Sequence, residues 1–277
     1  METAPFRFGI SLQTPGSSSD WAARARAAED QGYNVIQSAD HLGMPGPFLG
    51  LLAAAQATNL RVGTYLLNAG LHAPAYLARD VADLHRLTDG RFEMGIGAGF
   101  FESDYQAADL PFGTPGSRLR TLERVIAGTR ELLAAEQDKP NPPLMIGGAG
   151  KRILELAART ADIVSFPMAA GLGQGTGEQE LTARVDIVRQ AAGGRNVELN
   201  LFVFMIGATV SDVDLRDLSS MTGKSAEQLA ELPGVLIGSP HQIADTLRRY
   251  REELGINYIS VTESYRDTFA EVIAQLT

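Results

Sequence analysis

TDGRFEMGIGAGFFESD, residues 88 to 104, is the stretch from which the fold is read. Asp89-Gly90 has the composition of a tight turn that ends a helix, with glycine supplying the left-handed conformation. Arg91 to Ile96 then predicts a buried strand. Gly95, Gly97 and Gly99 alternate at its end and share one face if the strand runs that far. Glycines at a strand end let a flat or charged ligand approach the backbone. An aromatic and acidic loop is expected next, carrying Phe100, Phe101, Glu102, Asp104 and Tyr105. A glycine-rich turn without a ligand is the competing reading, because GxGxG is weak evidence in isolation.

The same punctuation recurs along the chain. Strands are expected at 6–13, 35–41, 61–68, 143–147, 163–167, 197–207 and 258–262, besides the opening one. Helical patterns lie between them. Asp20 reads as the N-cap of a helix over 21–31, and Pro74 opens one over 74–87 whose Leu77, Val81 and Leu84 share a face. Further helices are predicted over 47–58, 117–135, 151–160, 178–192 and 241–254, with a short one closing the chain. Residues 171–177 read as a Gly-rich loop. Residues 208–240 read as irregular apart from one short helix near 225–232. Eight strand–helix alternations without a shift in composition predict a single α/β domain over 1–277, a (β/α)8 TIM barrel. An open doubly wound sheet is the alternative. It is poorly supported, because no GxGxxG joins one strand to one helix.

Composition narrows the function. The chain has 277 residues, no cysteine and a formal charge of −9. Disulfides, thiolate metal sites and cysteine nucleophiles are excluded. No run of Lys or Arg suggests nucleic acid, and no apolar run reaches the roughly 18 residues of a membrane span. The N-terminus has no basic-then-apolar signal pattern, so a cytoplasmic location is the default expectation.

Barrels of this kind place chemistry at the C-terminal ends of the strands. That rule selects Ser38, Asp40, His41, Asn68, Gly97, Gly99, Asp104, Gly147, Gly148, Met168 and Glu263. The set is poor in metal ligands, and no metal is expected. His41 is the best general acid/base, because imidazole is the side chain that titrates near neutral pH. Its alternative is a hydrogen-bonded histidine filling the barrel mouth. Asp104 is a second proton-transfer candidate on a loop closing over the site, against a solvated carboxylate. Gly147-Gly148-Ala149-Gly150 ends a strand and opens a helix, and the N–H groups there favour an anion such as phosphate over an ordinary turn. Arg118 reads as a helix-face salt bridge in preference to a phosphate contact.

Six blocks carry a resemblance: SADH at 38–41, RVGTYLLN at 61–68, the long run 72–105, PFGTPGSRL at 111–119, the block 143–164 and the block 235–255. In order and spacing they resemble the luciferase-like flavin and deazaflavin oxidoreductases, in particular the short branch that uses coenzyme F-420. The resemblance implies a luciferase-like barrel with insertions at the C-terminal face. It implies a non-prolyl cis peptide at Tyr65–Leu66 supporting the cofactor ring, with Asp40, Asn68, Gly97 and Gly99 around the ring. Gly147, Gly148, Ala149 and Gly150 would hold its phosphate. His41 and Asp104 fall at the family's proton-transfer positions. Some sugar-phosphate and alcohol dehydrogenases of the family carry a Trp shortly after the Asp-His pair. Here Leu42-Gly43-Met44-Pro45 follows, which argues against a sugar phosphate. The implied activity is hydride transfer between F-420 and a small organic substrate. FMN with oxygen and a partner flavin reductase would make the enzyme a monooxygenase, and a ligand-binding barrel without redox turnover is the third reading. Relatives are often homodimers, although no interface stripe is legible here.

Overall fold

A computed structural model of the protein describes residues 4–135, 141–167, 177–216, 219–220 and 223–277. Met168 and residues 171–176 of the Gly-rich loop lie outside the described residues. The chain groups into two compact units, one of residues 11–29 and 35–146, the other of 1–10, 30–34 and 147–277.

The first unit is built on the strand Phe92–Gly97, buried at every position. It pairs in parallel with Arg61–Thr64, Leu67–Asn68 and Leu144–Gly147, and Arg61–Thr64 pairs in turn with Val35–Ser38. Parallel strands buried on both faces favour apolar runs; PLMIG supplies one, and in FEMGIG the run is broken by Glu93, which is buried and accepts from Arg61 Nε at 2.5 Å. The helices Pro47–Ala57, Pro74–Leu87 and Pro115–Ala135 each begin with proline. Proline suits the first turn because its missing N–H would have no partner there. Pro74–Leu87 packs on Pro115–Ala135, where a Cβ at Gly128 would come within 3.0 Å of Pro74.

Arg91, one residue before the strand, ties this unit together. Its guanidinium donates to the carbonyls of Thr88 at 3.1 Å, Ala55 at 2.9 Å, Thr58 at 3.0 Å and Leu60 at 2.7 Å. The Ala55 carbonyl lies in the last turn of its helix, where backbone acceptors lack intrahelical partners. Arg91→Met is expected to lower unfolding stability by about 2–4 kcal/mol, because several carbonyls lose a charged donor at once. A urea melt with a shift of under about 0.5 kcal/mol would show that water replaces the arginine without penalty.

Several boundaries differ from the sequence reading. The helix expected over 21–31 is Ser18–Asp30, so Asp20 is inside it. Asp20 accepts from the Ser17 N–H, and the Ser17 hydroxyl accepts from the Asp20 N–H. The reciprocal pair makes Ser17 the cap. The third strand is interrupted, with Tyr65 and Leu66 between Arg61–Thr64 and Leu67–Asn68 and the Tyr65–Leu66 peptide cis. The loop expected after Gly99 contains a short helix, Glu102–Ala107.

In the second unit, Glu198–Val203 pairs in parallel with Ile163–Phe166 and with Ile256–Thr262, and Arg7–Ser11 lies beside the last of these in the sheet. Each unit thus contributes four strands to the eight-fold alternation. Ser165, Asn200 and Ser260 form a buried hydrogen-bonded row across three neighbouring strands: Ser165 Oγ to Asn200 Oδ1 at 2.7 Å, Asn200 Nδ2 to Ser260 Oγ at 2.8 Å. Buried polar groups are tolerated when paired in this way. The strand expected over 197–207 breaks at Phe204. Its second piece, Met205–Gly207, pairs in parallel with Val235–Ile237, a strand inside the region read as irregular. Phe204, Val213, Leu215, Leu229, Leu232 and Val235 form a small separate core around it. A three-residue strand gives too short a pattern to detect in sequence. No described helix is long and apolar enough to cross a membrane.

Candidate active site

His41 and Asp104 meet in the first unit. Asp40 and His41 follow the strand Val35–Ser38, whose end delivers them to the C-terminal side of the sheet. Asp104 stands in the first turn of Glu102–Ala107. His41 Nδ1 lies 2.8 Å from Asp104 Oδ2, and the Leu42 N–H donates to Asp104 Oδ1 at 3.2 Å. The carboxylate side chain is only 6% exposed, while the imidazole is 31% exposed. A carboxylate only accepts, so the proton sits on Nδ1 and Nε2 carries the lone pair. Phe101 packs edge-on against the imidazole, with ring centroids 5.1 Å apart.

Asp40 takes a different part. Its Oδ2 accepts from the Asn68 N–H at 3.0 Å and lies 2.8 Å from His72 Nε2. It fixes the chain where the broken third strand ends. Asn68 Oδ1 accepts from the Gly70 N–H at 3.0 Å and from the Tyr105 hydroxyl at 3.0 Å. A backbone N–H can only donate, so the amide orientation is set. Asn68 Nδ2 is then left buried with no partner among the described residues. Burial pushes the Tyr105 phenol up and the Asp104 carboxylate adds to the effect, against Arg118 and the Asn68 bond, so Tyr105 remains a protonated donor.

The glycines of the opening stretch serve the protein's own packing. A Cβ at Gly95 would lie 2.0 Å from the Thr64 carbonyl oxygen. Gly99, at φ +82°, would place one 2.3 Å from both Asn68 Oδ1 and Tyr105 Oη. Gly97 pairs with Asn68 across the sheet. Among the described residues Arg118 makes no helix-face salt bridge. It donates to the Gly99 and Gly113 carbonyls and stacks 3.9 Å over Phe112.

In the second unit, Gly147 ends a strand and Gly150 caps the helix Lys151–Thr160 with no side-chain acceptor for its first N–H groups. Among the described residues a Cβ at Gly150 would meet nothing within 4 Å, whereas one at Gly148 would lie 2.4 Å from Ile153, and the Gly148 N–H donates to the Ser165 carbonyl at 3.2 Å. Lys151 lies 3.9 Å from Glu155. Among the described residues no group of three or more His, Asp or Glu side chains could hold a metal.

The model of the luciferase-like monooxygenase family matches residues 3–212. The chain belongs to the luciferase-like monooxygenase family. A phthiodiolone/phenolphthiodiolone dimycocerosates ketoreductase of Mycobacterium sp. (strain JLS) is 31% identical over 211 residues, which is 65% of this chain and 52% of that protein. The match therefore spans about half the relative's length. An F-420-dependent secondary alcohol dehydrogenase solved with an F-420–acetone adduct superposes with a TM-score of 0.75 at 18% identity, covering 99% of this chain and 100% of that one. A long-chain alkane monooxygenase gives 0.78 at 15%, covering 99% and 92%. At such identity the likeness carries the fold, and the luciferase-like chain is a (β/α)8 barrel.

Of the residues selected from the sequence, His41 and Asp104 are in contact, as are Asp40 and Asn68. The candidate site also contains partners the sequence did not mark in these roles: His72 on Asp40, Tyr105 on Asn68 and the Leu42 N–H on Asp104. A phenol reaching a residue 37 positions away has no periodic signature in sequence.

Proposed function

We propose that the protein is an oxidoreductase transferring a hydride between coenzyme F-420 and a small alcohol or carbonyl substrate, with His41 as its proton-transfer residue. The observation that carries this reading is the 2.8 Å bond between His41 Nδ1 and the buried Asp104 carboxylate. Interconverting an alcohol and a carbonyl moves a proton at oxygen as well as a hydride at carbon. An imidazole held in one tautomer by a buried carboxylate suits the proton. The ketoreductase name of the 31% identical relative supports the same substrate chemistry.

The chain fits such a cofactor at two separate places. Asn68 offers a buried amide N–H₂ that no group among the described residues accepts, and the Gly147-Gly148-Ala149-Gly150 turn opens a helix whose cap makes no side-chain hydrogen bond. We assign the cofactor ring to Asp40, the Tyr65–Leu66 peptide, Asn68, Gly97 and Gly99, and read that turn by itself as an anion site suited to a phosphate. When bound, a deazaflavin supplies the hydride donor or acceptor. His41 Nε2 takes the hydroxyl proton of an alcohol or returns it to a carbonyl oxygen. Asp104 is a positioning residue that holds His41 through Nδ1. With FMN in place of F-420, a partner reductase would be needed.

Fluorescence titration of the purified protein with F-420 and, separately, with FMN tests the reading. Saturable binding of F-420 at micromolar or lower concentration, with FMN at least about tenfold weaker (about 1.4 kcal/mol), is the expected result. Tight binding of FMN alone replaces it with an oxygen-dependent monooxygenase. Binding of neither to the folded protein removes the redox reading.

A further inference from the structure

We infer that this site takes an uncharged substrate whose apolar body lies along Phe100 and Phe101, with its reacting oxygen at His41 Nε2. The inference rests on the hydride-transfer reading above and supplies the substrate class that reading leaves open.

Four large apolar side chains surround the dyad and face water: Phe100 at 55% exposure, Leu42 at 47%, Met44 at 42% and Phe101 at 36%. They belong to two turns joined by the dyad itself. Phe101 packs against His41, and Phe100 packs edge-on against Phe101 with centroids 5.2 Å apart. Leu42 is held by its N–H bond to Asp104, and the Met44 N–H closes the turn onto the His41 carbonyl at 3.0 Å. Exposed apolar side chains gathered on the turns that carry the dyad are unfavourable in water and suit a surface that becomes covered. An occupant lying on Phe101 is beside the imidazole, whose ring centroid is 5.1 Å from that of Phe101.

Charge points the same way. Residues 41–46 and 99–113 contain no Lys or Arg but do contain Glu102, Asp104 and Asp109. The next cation along, Arg118, has its Nε on the Gly99 carbonyl and Nη1 on the Gly113 carbonyl, with its plane over Phe112. An anionic substrate would meet carboxylates here. An alkyl or aryl ketone, or the matching alcohol, would cover the rings and leave one oxygen for His41.

Calorimetric binding of straight-chain methyl ketones, from butanone upward, tests this on the full chain with and without F-420. Affinity is expected to rise about three- to fourfold per added methylene, the ~0.8 kcal/mol of one buried CH₂. A 2-oxo acid of equal length should bind at least about tenfold more weakly, by 1.4 kcal/mol or more. Phe101→Ser should flatten the chain-length dependence and Phe101→Leu should keep most of it, which separates lost apolar contact from misfolding. A flat series in the unaltered protein, a preference for the oxo acid, or no ketone binding at all overturns the inference. So does an unchanged series in Phe101→Ser accompanied by a loss of self-association in light scattering, which would make the patch an interface between copies. A rising series without cofactor binding sinks the hydride-transfer reading alone. Cofactor binding and turnover with a flat series sinks the substrate class alone.

Discussion

His41→Ala lowers kcat by about 10²- to 10⁴-fold, the usual range for a positioned acid or base, while F-420 affinity stays within about threefold (~0.65 kcal/mol). The imidazole is 31% exposed and its described hydrogen bond is to Asp104, so removing it takes out the proton relay without unseating a core. Asp104→Asn should fall in the same range for a different reason. An asparagine can present its N–H₂ to Nδ1, which drives the imidazole proton onto Nε2 and inverts the tautomer the reaction needs. The carboxylate does not touch substrate in this account, so kcat falls and KM stays close to its original value. Stopped-flow single turnovers, paired with cofactor titrations of each variant, measure both. If His41→Ala turns over within about threefold of the unaltered enzyme, far short of a general acid's contribution, the proton-transfer assignment is lost even though the cofactor still binds.

Gly95→Ala produces the largest stability loss expected in the molecule, about 3–4 kcal/mol. The added Cβ would sit 2.0 Å from the Thr64 carbonyl oxygen, a backbone atom of the neighbouring strand segment. Thr64 and Gly95 are also joined by two hydrogen bonds, Thr64 Oγ1 to the Gly95 carbonyl at 2.7 Å and the Gly95 N–H to Thr64 Oγ1 at 2.9 Å. Relieving the clash strains or breaks both, inside a strand buried at every position. Gly150→Ala is the matched control. A Cβ there meets nothing within 4 Å and its φ is −80°, so its effect should stay within about 1 kcal/mol. Equal denaturation midpoints for the two variants would mean that the strands around Gly95 can part to admit a methyl group.

The sequence by itself determined the alternation of eight strands with helices. Each strand carries apolar residues in short runs or alternation and each helix a proline, a capping residue or an apolar stripe, and these signals are local. The helices at 74–87 and 151–160 come out of the sequence with the boundaries the structure gives them. It also named His41, Asp104, Asp40 and Asn68, because strand ends are legible and barrels place their chemistry there. Only the tertiary structure decided how those four are used. Asp104 is a buried acceptor clamped by His41 and by the Leu42 N–H, Asp40 is bound to His72 and Asn68, and Tyr105 donates to the Asn68 amide oxygen. Those roles depend on distances between residues 28 to 63 positions apart. No periodicity encodes such distances. The glycines teach the same lesson: the sequence marks them as places of close approach, and the fold shows that at Gly95 and Gly99 the approaching atoms belong to the protein's own Thr64, Asn68 and Tyr105.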